Sequence, residues 1–92
     1  MATYSLSFLP RSTREFDNLP EHDFKRIKNA IDLLAENPRP IGVKKLGGKL
    51  HRVRVGDWRV IFAILDKEKQ IIILRVTRRS EQTYKWIKEI KL

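Results

Sequence analysis

The segment from residue 51 to residue 65 constrains the fold more than any other part of the chain. His51 to Val55 has the alternating pattern of a strand, and Trp58 to Leu65 is rich in β-branched and aromatic residues. Gly56-Asp57 separates them as a two-residue loop with glycine first, which is the order that a type II′ turn requires. The segment therefore predicts an antiparallel β-hairpin whose register is set by its turn.

The register of this hairpin gathers positive charge on one face of the sheet. With a two-residue turn, Arg54 lies opposite Arg59 in the neighbouring strand. Arg52 then lies opposite Ile61, on the same face as the other two arginines. Like charges directly opposite one another destabilise a sheet, and such conflicts between local rules and the fold are typical of functional sites. We therefore expect an anion to bind at this face.

Further arginines extend the basic face towards the end of the chain. If Leu65 pairs with Ile71 in the next hairpin, Arg75 joins the same face. Arg78 and Arg79 follow where that strand ends. Guanidinium groups bind phosphates through bidentate hydrogen bonds and also stack on bases. The group as a whole indicates a nucleic-acid groove. The alternative for each residue is a solvated strand face, which is the better explanation for Arg52 taken alone.

Other side chains offer few alternatives to this site. Tyr84 follows the arginine pair and can either stack on a base or pack in the core. His22 and His51 are far apart in sequence, and no metal-ligand spacing occurs, so we expect neither a metal nor another cofactor. Gly47-Gly48 is interpreted as a turn, and the strand parity of Trp58 favours burial.

The first half of the chain predicts one strand followed by two helices. Tyr4 to Leu9 alternates and stops at a proline, as an opening strand does. Ser12 or Thr13 can cap a short helix that extends through Leu19. Pro20 to Glu36 carries apolar residues at steps of three and four, which predicts a longer amphipathic helix with the proline in its first turn.

The second half of the chain predicts three consecutive antiparallel strands and a short final helix. Ile71 to Val76 supplies the third strand, and Ser80 can cap the helix that carries Tyr84. The order is then a strand, a two-helix hairpin, three strands and a helix, which makes the fold α+β with an antiparallel sheet. We expect residues 1–92 to form a single domain, since 92 residues leave no room for a second.

The composition points to a polyanionic partner. The net charge is +9, and residues 49–92 hold twelve basic and five acidic side chains, against eight and six in residues 1–48. Such a charge favours association with nucleic acid, although a merely soluble surface is the simpler alternative. The chain has no cysteine, no apolar stretch long enough for a membrane helix and no basic leader, so we expect a soluble, cytoplasmic protein.

Residues 45–62, with the sequence KLGGKLHRVRVGDWRVIF, resemble the signature region of the RelE/ParE toxin superfamily. In that family a basic alternating strand is followed by a Gly-Asp turn, an aromatic residue, an arginine and an apolar strand. Val76-Thr77-Arg78-Arg79 and then Tyr84 resemble its closing motif. The expected order of elements also agrees with the family.

The resemblance implies a toxin that is neutralised by a cognate antitoxin protein and, in the RelE branch, enters the ribosomal A site and cuts mRNA. The ribose 2′-hydroxyl would attack its own 3′-phosphate, leaving a cyclic phosphate and a free 5′-hydroxyl. The residues expected to be catalytic are Arg52, Arg54, Arg59, Arg78 and Tyr84. The basic residues expected to bind RNA around them are Lys44, Lys45, Lys49, His51, Arg75 and Arg79.

Each catalytic residue has an expected role. Arg59 and Arg78 would stabilise the pentavalent phosphate, with Arg78 also able to protonate the leaving oxygen. Arg52 or Arg54 would position the ribose and remove its proton, and Tyr84 would stack on a base.

One departure from the family leaves the proton acceptor open. RelE toxins carry lysines in the basic strand, whereas this chain carries arginines, and arginine is a poor general base. This favours assistance from the ribosome and little activity on free RNA. A ParE-like inhibitor of DNA gyrase, and a catalytically inactive module that binds nucleic acid or antitoxin, are the alternatives.

Overall fold

The computed structural model describes residues 3–78, which form two helices and one five-stranded sheet. The predicted α+β class is confirmed for this part of the chain. The elements, in chain order, are β1 (Ser5–Phe8), α1 (Pro10–Asp17), α2 (Glu21–Glu36), β2 (Lys44–Gly47), β3 (Leu50–Val55), β4 (Trp58–Leu65) and β5 (Gln70–Arg78). Neither of these helices is long and apolar enough to cross a membrane. The expected final helix lies outside the described residues.

The sheet is mixed rather than antiparallel throughout. Its strand order is β1-β5-β4-β3-β2, and β1 runs parallel to β5 while the other neighbours are antiparallel. The fifth strand, β2, was not predicted, because it is only four residues long and is mostly exposed. An alternating pattern marks a strand but does not state the direction of its neighbour, so the parallel edge could not be predicted either.

The β3–β4 hairpin has the predicted register. Val55 pairs with Trp58 and Arg54 pairs with Arg59. Gly56 has a φ of +60°, and the only non-glycine residue with positive φ among residues 3–78 is Lys69. The turn thus has positive φ at its first central residue alone, as the type II′ form requires.

The β4–β5 hairpin differs from its predicted register at the turn. Leu65 pairs with Gln70, not with Ile71 as expected. Leu74 has no pairing partner, since the register shifts between Ile61 and Phe62 on the opposite strand. This extra residue is a β-bulge, and it restores the predicted register beyond it.

Two apolar clusters cover the two faces of the sheet. On the first face, α2 packs Ile27, Ile31 and Leu34 against β4 and β5. The buried sheet residues in this cluster are Val60, Phe62, Ile64, Ile71, Ile73 and Val76. On the opposite face, Leu50, Ile61, Ala63 and Leu74 form a smaller cluster. The middle of β4, residues 60–64, is therefore buried on both faces of the sheet.

Helix α1 begins earlier than the sequence predicts. Leu9 is its N-cap residue and Pro10 its first residue, so neither Ser12 nor Thr13 is the cap. Ser12 is instead fully buried at the third helical position, where its hydroxyl accepts a hydrogen bond from the Leu9 amide at 3.0 Å and donates one to the Ile73 carbonyl at 2.6 Å. The serine thus joins the start of the helix to β5.

The connection between the two helices also differs in detail from the prediction. Helix α1 ends at Asp17, so Leu19 is buried in the link rather than in the helix. Pro20 is the N-cap residue of α2, which begins at Glu21. The predicted two-helix hairpin is nevertheless present, and Phe16 packs on Phe24 across it with ring centroids 4.6 Å apart.

Asp66 joins three separate segments at the end of the sheet that lies away from the arginines. The Tyr4 hydroxyl donates a hydrogen bond to Asp66 Oδ1 at 2.7 Å, and Arg39 Nη2 donates one to Oδ2 at 2.9 Å. These bonds connect the residue before β1, the loop after α2 and the β4–β5 turn. Hydrogen bonds from Arg39 and then Tyr4 lower the pKa of Asp66 from 3.8 to about 2. Asp66 thus stabilises the fold in its ionised form.

We predict that Asp66→Asn lowers stability at neutral pH and that this difference disappears in acid. Because the folded-state pKa of Asp66 is below its usual value, its contribution is complete above about pH 4 and is lost as the pH falls towards 2. Urea unfolding of both proteins between about pH 7 and pH 2 measures the difference in their free energies of unfolding. A difference that does not change over this range would contradict the stabilising role of ionised Asp66.

Candidate nucleic-acid interface

A cleft of about 370 Å³ opens at the end of the sheet beside the β3–β4 turn. It is lined by Arg54, Gly56, Asp57, Trp58, Arg59 and Arg78. Three of the arginines expected to be catalytic therefore come together here. The two strands and the turn between them supply five of the six residues, and the end of β5 supplies the sixth.

Arg54 and Arg59 face one another across the hairpin but differ in exposure. Arg54 is exposed, whereas only 5% of Arg59 is accessible to solvent. Arg52 is half-buried on the same face, where it pairs with Ile61. Because arginine keeps its charge in proteins, an anion in the cleft meets charges that are partly shielded from water. Such charges attract a phosphate more strongly than fully solvated ones.

Arg78 reaches the cleft from the other side of the sheet. It pairs with Trp58 in the β4–β5 register, which places both on the face that carries the helices. The Arg78 guanidinium lies over the indole ring, 4.9 Å from its centroid. Trp58 is half-buried against the main core, so its predicted burial is only partial. The ring gives Arg78 a fixed support through a cation–π contact.

Arg75 does not join the arginines of the cleft. It lies opposite Ile61 as predicted, but its guanidinium binds Glu15 of α1, with Nε 3.0 Å from Oε1 and Nη2 2.8 Å from Oε2. Glu15 Oε1 also accepts the Val76 amide hydrogen at 3.1 Å. Strand β1 ends at Phe8, opposite Ile73. Glu15 and Arg75 therefore lie at the part of β5 that β1 does not cover, and the RNA-binding role expected of Arg75 stays a prediction.

His51 also lies away from the cleft. It pairs with Phe62 on the helix-bearing face, stacks on that ring at 5.8 Å and is only 5% exposed. Its Nδ1–H donates to the Lys49 carbonyl at 2.9 Å. Burial lowers the pKa of His51, which keeps the imidazole neutral near pH 7. His51 thus packs in the sheet, and the expectation that it binds RNA stays a prediction.

The three predicted RNA-binding lysines are exposed at the β2 edge of the sheet. Lys44 pairs with Arg52 and lies on the arginine face, whereas Lys45 pairs with His51 and lies on the other. Lys49 belongs to the turn between β2 and β3. These lysines flank the hairpin but do not line the cleft. The remaining predicted residues, Arg79 and Tyr84, lie outside the described part of the chain.

Arg26 is a basic residue near the cleft that the sequence analysis missed. It is exposed on α2, and its Nη2 lies 3.1 Å from the position that a Cβ atom on Gly56 would occupy. Within residues 3–78 it forms no ion pair with a carboxylate. Arg26 lies off the apolar positions of the helical pattern, and only the tertiary packing of α2 on the hairpin brings it to the turn. Arg26 adds a guanidinium at the rim of the cleft.

Comparison with known proteins gives the family. Residues 5–83 match the family model of the ParE toxin of type II toxin-antitoxin systems, parDE. The chain belongs to the RelE/ParE toxin family. The resemblance that the sequence suggested is thereby confirmed, and with it the assignment as a toxin of a type II toxin-antitoxin system.

Relatives with the RelE name support this assignment. A protein of Methanocaldococcus jannaschii named as toxin RelE1 is 32% identical over 87 residues, which cover 89% of this chain and 96% of the relative. The RelE–RelB complex from Pyrococcus horikoshii contains a chain with 31% identity and a TM-score of 0.78, and the match covers 86% of this chain and 98% of the other. The isolated Escherichia coli RelE toxin has the same fold, with a TM-score of 0.74 at 22% identity and coverage of 96% and 99%.

We predict that Glu15→Ala destabilises the toxin more than removal of an exposed ion pair does. The change leaves the mostly buried Arg75 guanidinium without its carboxylate and the Val76 amide without its acceptor. We expect the free energy of unfolding to fall by about 1–3 kcal/mol. Lys28→Ala, which breaks the exposed pair with Asp32, is the control and should cost about 0.5 kcal/mol or less.

Urea unfolding of the two variants and the unchanged protein makes this comparison. Equal losses in Glu15→Ala and Lys28→Ala would show that Glu15 does not hold the β5 edge.

Proposed function

We propose that this toxin is a ribosome-dependent endoribonuclease that cuts mRNA in the A site without a metal. The observation that carries the proposal is the convergence of Arg54, Arg59 and Arg78 on one cleft at the end of the hairpin. A phosphodiester there would meet guanidiniums from more than one direction. A gyrase inhibitor that acts by binding alone needs no such arrangement.

The cleft suits the charge changes of RNA cleavage. When the ribose 2′-oxygen attacks the adjacent phosphorus, the pentavalent phosphate gains negative charge, which fixed cations stabilise. Arg59 and Arg78 are assigned to this phosphate because one is nearly buried and the other is supported by Trp58. Arg52 and Arg54 are assigned to positioning the ribose, and Tyr84 to stacking on a base.

Dependence on the ribosome follows from what the cleft lacks among the described residues. It is open to solvent, so it does not by itself fix the orientation of an RNA strand, and its arginines are poor acid–base catalysts. A bound mRNA codon held by the ribosome would supply the orientation that the cleft does not. The net charge of +9 favours association with ribosomal RNA in the cytoplasm.

A cognate antitoxin is the expected protein partner. The structures similar to this chain include RelE–RelB complexes from Pyrococcus horikoshii and Escherichia coli. We assign the antitoxin contact to the basic and apolar surfaces of the sheet together with the C-terminal segment. Occupation of the arginine cleft, or displacement of its residues, would then prevent toxicity while the antitoxin is bound.

Inhibition of DNA gyrase is the second candidate, because the matching family model carries the ParE name. It predicts growth arrest with DNA-damage signalling and intact mRNA. The cleft arginines separate the two candidates, since RNA cleavage requires them.

We predict that Arg78→Ala and Arg59→Lys each slow cleavage of ribosome-bound mRNA by about 100- to 1,000-fold. Lysine replaces Arg59 because that position is nearly buried and alanine would leave a cavity. Lys67→Ala is the control, since it removes one positive charge from the exposed turn at the other end of the sheet. Cleavage is measured with saturating purified toxin on programmed ribosomes.

The ribonuclease proposal fails if both cleft variants cleave as fast as the unchanged toxin, or if the unchanged toxin leaves ribosome-bound mRNA intact. Thermal unfolding of each variant confirms that a lost rate does not reflect a lost fold.

A further inference from the structure

The proposed reaction needs a group that removes the proton from the ribose 2′-hydroxyl. Guanidinium groups cannot do this efficiently, because neutral guanidine is too scarce near pH 7. His51 is buried on the opposite face of the sheet and cannot reach the cleft. Among the side chains of residues 3–78 that line the cleft, Asp57 alone carries a carboxylate, a group that can accept a proton.

Asp57 is placed by the turn that builds the cleft. It is the second residue of the type II′ turn, between Gly56 and Trp58, and it is exposed. Three arginines line the same cleft, yet within residues 3–78 Asp57 forms no ion pair with any of them. A carboxylate bound in a salt bridge would be a weaker proton acceptor, so the lack of such a bridge to residues 3–78 leaves Asp57 able to act as one.

We propose that Asp57 is the catalytic general base of this toxin. This inference rests on the proposed function and adds the residue that the RNA reaction requires. Asp57 takes the 2′-hydroxyl proton while the 2′-oxygen forms a bond to phosphorus and the bond from phosphorus to the 5′-oxygen breaks. The leaving 5′-oxygen takes a proton from water, and Asp57 then returns its own proton to water. The products are a 2′,3′-cyclic phosphate and a 5′-hydroxyl, and no net proton is consumed.

The negative charge of Asp57 allows a general-base role to be distinguished from a purely electrostatic one. A carboxylate beside the cleft repels the phosphate, so its removal should strengthen binding of RNA. If Asp57 had no chemical role, Asp57→Asn would therefore cleave as fast as the unchanged toxin or faster. If Asp57 is the general base, Asp57→Asn should instead cleave more slowly, while its binding of RNA should still be as strong or stronger.

The test compares Asp57→Asn with the unchanged toxin in single-turnover cleavage of mRNA on programmed ribosomes. We expect the rate at saturating toxin to fall by about 100- to 10,000-fold. Affinity is measured separately with mRNA that carries a 2′-O-methyl group at the cleavage site, and it should be unchanged or tighter. Asp57→Glu should recover part of the rate. Glu68→Gln, which removes one negative charge from the exposed β4–β5 turn, is the matched control and should cleave normally.

Three outcomes decide the matter. A reduced rate in Asp57→Asn with retained affinity, together with partial recovery of the rate in Asp57→Glu, supports the assignment. Undiminished cleavage by Asp57→Asn overturns it while leaving the ribonuclease function in place. Failure of the unchanged toxin to cut ribosome-bound mRNA overturns the proposed function, and the general-base role with it.

Discussion

The pairing of Arg54 with Arg59 across the β3–β4 hairpin is the constraint on which the site depends. Gly56, with its φ of +60°, allows a two-residue turn, and that turn fixes the pair. A slip of one residue would exchange the faces of a strand, moving its arginines towards the helices and exposing core residues such as Val60 and Phe62. Burial of the apolar face therefore holds the arginines in register despite their mutual repulsion.

The second apolar cluster lies on the same face of the sheet as Arg52, Arg54 and Arg59. Leu50, Ile61, Ala63 and Leu74 lie on the same face and reduce its contact with water. Arg59, on the same face, is only 5% exposed although it lies at the edge of an open cleft. Charges that are fixed and partly desolvated before the substrate arrives stabilise a developing phosphate charge without reorganising solvent.

The local hairpin and its arginine face could be predicted from sequence, but the long-range contacts of single side chains could not. Turn chemistry and alternation were enough to pair Arg54 with Arg59 correctly. Arg75 was assigned to the site because the pattern cannot show that Glu15, 60 residues away, captures its guanidinium. His51 was grouped with the RNA-binding residues because it adjoins them in sequence, although strand parity puts it on the other face of the sheet. Arg26 was missed because only tertiary packing brings α2 to the turn.

The most direct test of the account is to map mRNA 5′ ends in a bacterial host that expresses this toxin without its antitoxin. A reporter transcript is compared with a copy whose start codon has been removed, so that the two differ only in translation. Ribosome-dependent cleavage predicts new 5′ ends, bearing hydroxyl groups, within the codons of the translated transcript and none in the untranslated copy. Growth arrest with both transcripts intact, or equal cutting of the two, would contradict it.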